Sequence, residues 1–89
     1  MKKIIIQQLS DEEIQKIGIH SWPVWTKEIS RFDWYYDNEE ACLILEGEIV
    51  IETSENQYTI HAGDFVTFRK GLQCVWNIKK PVRKHYQFK

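Results

Sequence analysis

Residues 40–71 read EACLILEGEIVIETSENQYTIHAGDFVTFRKG, and the spacing of their glycines decides the fold. Six residues separate Glu40 from Gly47, and fifteen separate Gly47 from Gly63. Asp64 follows at once, then Arg69 and Gly71. Ala41–Leu45 is a continuous apolar run, as in a strand buried on both faces. Glu46-Gly47 marks a sharp bend. Glu48–Thr53 alternates charged and branched residues, Ser54-Glu55-Asn56 turns, and Tyr58–His61 returns antiparallel.

Outside this segment the pattern is also β. Ile4–Ile6 reads as a short strand. Ser10-Asp11-Glu12-Glu13 is a capping box that opens a two-turn helix carrying Ile14 and Ile17, and Gly18 stops it. Trp22-Pro23 starts an extended stretch. Trp25–Ile29, Phe32–Tyr36, Phe65–Phe68, Gln73–Ile78 and Val82–Phe88 are rich in aromatic and branched residues. The expectation is about nine short strands with no crossover helices, which excludes parallel βαβ units. A compact antiparallel barrel or sandwich remains, in a single domain over residues 1–89.

Composition narrows the function classes. Twelve basic and thirteen acidic residues leave a net charge of −1. That lacks the electrostatic footprint of a nucleic-acid binder. The basic run from Lys79 to Lys84, broken by Pro81, reads as a solvated strand face. No apolar run reaches the roughly 20 residues of a membrane span. Met1-Lys2-Lys3 precedes only three apolar residues before Gln7, so a secretory signal is not expected and the setting is cytoplasmic. Cys42 and Cys74 form no CxxC signature and are expected to stay reduced. A chain this short hides only about 60–65% of its unfolded surface, so it gains from pairing as a homodimer.

The two-fold run of strands with glycine at each bend resembles a cupin, a small jelly-roll barrel. Glu40 and Gly47 match the end of the first cupin motif, and Gly63 and Gly71 match glycines of the second. Five blocks, among them Trp22-Pro23-Val24-Trp25, Phe68-Arg69-Lys70-Gly71 and Pro81-Val82-Arg83-Lys84-His85-Tyr86, are similar to the ureidoglycine aminohydrolase cupin domain. That resemblance implies a metal held by a glutamate, two histidines and a glutamine. Those slots fall here at Trp34, Tyr36, Glu40 and Cys74. An indole is no ligand, a neutral phenol is a poor one, and carboxylate and thiolate suit different metals. No cofactor or ordinary metal site is therefore expected, and an atypical metal at Glu40 and Cys74 is the alternative.

Strand alternation then proposes a pocket. Cys42 and Ile44 share the face of Glu40, Trp34 and Tyr36 share a face, and so do Cys74, Trp76 and Ile78. The expected ligand pocket is Trp34, Tyr36, Glu40, Cys74, Trp76 and His85, fit for a small molecule. A carboxyl desolvated by aromatic rings suits proton transfer; the bland alternative is a carboxyl that merely holds the barrel mouth. Cys74 is a nucleophile if a cation attends it, and inert packing otherwise. His85 either pairs with Glu40 or sits hydrated on the rim. Trp22 and Trp25 are assigned to core or dimer contacts. Leu43 and Leu45 need cover from a second sheet, the helix or another subunit. Three functions follow: a small-molecule binder, an aminohydrolase-like enzyme on a nitrogenous compound, or a structural dimer with a filled barrel.

Overall fold

A computed structural model of the chain describes residues 2–89; Met1, which belongs to the N-terminal stretch and the 1–89 span weighed above, lies outside the described residues. The strands are β1 (Ile4–Gln8), β2 (Val24–Lys27), β3 (Ser30–Tyr35), β4 (Glu40–Glu52), β5 (Gln57–His61), β6 (Asp64–Phe68) and β7 (Gln73–Phe88). Among the described residues, one helix, α1 (Asp11–Ile17), and a single 3-10 turn over Ile19–Ser21 complete the elements. No helix among the described residues is long and apolar enough to cross a membrane.

All strand pairs are antiparallel, in the order β1-β6-β4-β7-β2, with β3 added on β7 and β5 on β4. The sheet rolls around one core because β4 and β7 are long and bent. Each was expected as two strands. Gly47 does bend the chain, at φ 110°, but pairing continues through the bend. Register shifts between Ile44 and Ile49 absorb the irregularity, opposite Pro81, which has no N–H to give the ladder. Glycine is required there: a Cβ on residue 47 would stand 2.5 Å from the Pro81 carbonyl oxygen.

α1 forms as its cap dictates. Ser10 Oγ accepts from the Glu13 N–H at 3.1 Å, and the Ser10 N–H donates to Glu13 Oε1 at 3.0 Å. Gly18 ends it in the left-handed region. Ile14 packs inward, but Ile17 is exposed, so the two isoleucines do not share one buried face. The segment nevertheless covers the outer side of β4. Leu43 is buried there with Ile19 and Phe65, flanked by Leu9, Ile14, Trp22 and Leu45. The main core lies on the other face of β4, where Cys42, Ile44, Ile49 and Ile51 meet Val66, Phe68, Cys74, Trp76 and Ile78.

Candidate functional site

Four strands bring the site together: β4, β7 and the end of β3 supply its floor, and β2 adds Trp25 to its walls. β4 begins at Glu40 and points its carboxyl inward with Cys42 and Ile44, so that Glu40 is only 2% exposed. Tyr36, just after β3, stacks on Phe68 at 4.9 Å and sends its hydroxyl to Glu40 Oε1 at 3.0 Å. β7, after its bulge at Pro81, directs Val82, Lys84, Tyr86 and Phe88 to the inner face. The ammonium of Lys84 donates to Glu40 Oε2 at 2.7 Å. Both carboxylate oxygens are thereby engaged.

Lys84 is buried, with its side chain 6% exposed. Its Nζ lies 4.6 Å from the Trp76 ring centroid, 4.8 Å from Trp25 and 6.0 Å from Tyr86. Ring faces at such distances attract a cation, by about 1–2 kcal/mol each when water is excluded. Removing two charges from water costs several kcal/mol per ion. The close pair, the Tyr36 hydrogen bond and the rings together offset a cost of that order. Such a pair brings the fold little net stability, since hydrophobic replacements of buried pairs are often neutral or better. Its physical consequence is a fixed dipole at the floor of an aromatic cavity.

That cavity has a volume of about 180 Å³. Trp25, Phe32, Trp34, Trp76, Tyr86 and Phe88 wall it, over a floor of Tyr36, Glu40 and Lys84. Phe32 lies parallel to Trp76 at 6.2 Å, and Trp25 meets Trp76 edge-on at 5.9 Å. Trp34 and Phe88 are about half exposed and form the mouth. Burial, then the neighbouring Glu40 carboxylate, push the Tyr36 phenol far up, so it remains a proton donor to that carboxylate.

The expected site residues divide on this geometry. Trp34, Tyr36, Glu40 and Trp76 line one cavity. Cys74 does not; it lies in the core among Cys42, Val66 and Ile78. Burial and the Glu40 carboxylate raise its thiol to about 11, so no cation activates it. Burial likewise raises Cys42 to about 12. Both cysteines are free. His85 is turned the other way. Alternation across β7 places it outside, where Nδ1 contacts the Trp22 carbonyl oxygen at 3.0 Å and His20 meets its ring at 5.6 Å. It cannot reach Glu40 from that face, and Lys84 takes the partner role instead. Trp25, assigned above to core or dimer contacts, is a cavity wall.

A cupin-type metal does not fit these donors. Glu40 is the one carboxylate at the floor, and a fixed ammonium 2.7 Å away repels any second cation. The Cys74 thiol lies in the core and does not line the cavity, so it offers no second donor there beside Glu40. Among the described residues no cluster of three His, Cys, Asp or Glu side chains could hold an ion.

Rolled antiparallel strands, one N-terminal helix and a cavity at the first-motif glutamate define a cupin. The chain belongs to the EutQ-like cupin domain family, whose profile matches residues 15–86. Its structure is similar to that of a DUF861 family protein from Thermotoga maritima, at 45% identity and TM-score 0.94, covering 97% of this chain and 99% of that one. It also resembles two EutQ proteins in fold. For that of Clostridium difficile the identity is 16% and the TM-score 0.68, over 96% of this chain and 66% of that one. A putative ethanolamine utilization protein Q from Salmonella typhimurium gives 20% and 0.67, over 96% and 68%. A comparison with curated proteins returns no match.

Proposed function

We propose that this cupin binds a small molecule of about one ring, without a metal, in the cavity above Glu40 and Lys84. One observation carries the reading: a buried ammonium, caged by rings, stands beside the motif carboxylate at 2.7 Å and lines open space. An ammonium has three N–H donors, and one goes to Glu40. A ligand oxygen at the floor would accept from the same head, while its ring or alkyl part stacks on the walls. An apolar cavity of about 150 Å³ is enough for benzene, so about 180 Å³ suits a compact ligand. The same open volume argues against the structural-dimer alternative with a filled barrel.

The aminohydrolase-like alternative, with an atypical metal at Glu40 and Cys74, is weaker. Its two donors are a carboxylate already bound at both oxygens and a thiol that does not line the cavity. Two free buried thiols fit the cytoplasmic setting. A homodimer would cover exposed Val24, Ile29 and Tyr35 near the open edges of β2 and β3. Light scattering on the eluting protein tests it: a monomer at micromolar concentration removes the dimer.

Titration with benzamide, followed by tryptophan fluorescence, tests the binding reading. Saturable quenching is expected, weakened at least tenfold in Trp34→Ala, a change at the mouth that leaves the core intact. Linear, unsaturated quenching by benzamide and by its one-ring relatives would overturn the reading.

A further inference from the structure

We propose that Lys84 is an amine nucleophile that captures small aldehydes as a reversible imine, with Glu40 as its base and Tyr36 orienting that base. The proposal rests on the ligand-binding reading and adds covalent chemistry to it. Its footing is the chain of contacts from Lys84 Nζ to Glu40 Oε2 at 2.7 Å and from the Tyr36 hydroxyl to Glu40 Oε1 at 3.0 Å. A nucleophile within hydrogen-bond reach of a base, itself held by a third group, is the arrangement that activates amines and hydroxyls for covalent catalysis. The ion pair and the rings hold Lys84 as the ammonium at rest, so the amine must be freed within the site, and Glu40 in direct contact is the base that frees it. Here the amine lines an open cavity, and the walls beside it are rings rather than competing donors.

The step balances within the site. Glu40 takes one proton from the ammonium, leaving a free amine and a carboxylic acid. The amine lone pair attacks the aldehyde carbon, a C–N bond forms, and the carbonyl π pair moves to oxygen. Glu40 relays one proton from nitrogen to that oxygen, giving a neutral carbinolamine. Its acid proton then passes to the hydroxyl, which leaves as water while the nitrogen lone pair forms the C=N bond. The product is an iminium cation beside a Glu40 carboxylate. Charge is conserved, so the carboxylate and rings that hold the ammonium also hold the product. No oxidant or further reactant is needed. The cavity volume, about 180 Å³, restricts the aldehyde to about one ring or a short chain.

Benzaldehyde with sodium cyanoborohydride at neutral pH supplies the test, read by intact mass and peptide mapping. Lys84 is expected to gain a benzyl group at least about tenfold faster than exposed Lys79 or Lys80. Glu40→Gln should slow labelling at Lys84 about tenfold or more, with Lys79 and Lys80 unchanged. Lys84→Arg should abolish the fast phase. If Glu40→Gln does not fold, the wild-type rate ratio, and its collapse when benzyl alcohol competes, decides the matter. Saturable quenching of tryptophan by benzyl alcohol with Lys84 labelled no faster than Lys79 overturns the imine and leaves binding intact. No saturable binding and no selective labelling overturns both.

Discussion

Replacing Lys84 by methionine keeps most of the side-chain volume and removes the charge. The carboxylate of Glu40, only 2% exposed, then keeps one neutral donor, the Tyr36 hydroxyl at 3.0 Å. Breaking a buried pair by deleting one partner costs about 3–5 kcal/mol, because the survivor remains uncompensated. With a urea slope of about 2 kcal/mol/M for a small domain, the midpoint should fall by about 1.5–2.5 M. The four tryptophans, of which Trp25 and Trp76 flank Lys84, make fluorescence a direct reporter. The double variant Lys84→Met/Glu40→Gln should be less damaged than Lys84→Met alone, with a coupling of about 2 kcal/mol or more. A loss below about 1 kcal/mol, or additive effects, would refute the claim that the ammonium compensates the carboxylate.

Further outcomes follow from the same geometry. Tyr36→Phe removes the donor to Glu40 Oε1 and should cost about 1–3 kcal/mol in urea unfolding. Gly47→Ala forces a Cβ to 2.5 Å from the Pro81 oxygen at φ 110° and should cost about 2–5 kcal/mol. Gly63→Ala, at φ 96° with nothing within 4 Å of the added carbon, should cost only about 1–2 kcal/mol by the same assay. The buried thiols set an alkaline limit. They ionise from a reference of 9.0 when unfolded, but near 12 for Cys42 and near 11 for Cys74 when folded. The unfolded state releases these protons first, so stability should fall as pH rises from 9.0 toward 11, by up to about 1.4 kcal/mol per unit per thiol. Cys74→Ala should flatten that slope in pH-resolved thermal scans.

Much of the scaffold was legible because alternation and glycine carry their own geometry. Glu40, Cys42 and Ile44 share a face by the period of a strand, and the capping box at Ser10 left α1 little choice. Gly47 announced a bend, yet the bend lies inside one strand, since bulges let β4 and β7 pair straight through it. The floor of the cavity was less legible. Lys84 stands in a basic run, and charge counting places such a run in solvent. Alternation says otherwise: Val82, Lys84, Tyr86 and Phe88 form one face of β7, and Arg83, His85 and Gln87 the other. That pattern both buries Lys84 and turns His85 outward. Cys74 matched a family slot by position, but a slot does not fix whether a side chain borders space or packs in the core.

Elemental analysis of the purified, untagged protein, with zinc and manganese added back to a second sample, tests most directly whether Lys84 is the cation that serves Glu40. Far less than one transition-metal ion per chain is expected, with no rise in melting temperature on addition of either ion. One tightly held ion per chain, stabilising the fold and lost in Glu40→Gln, would contradict it.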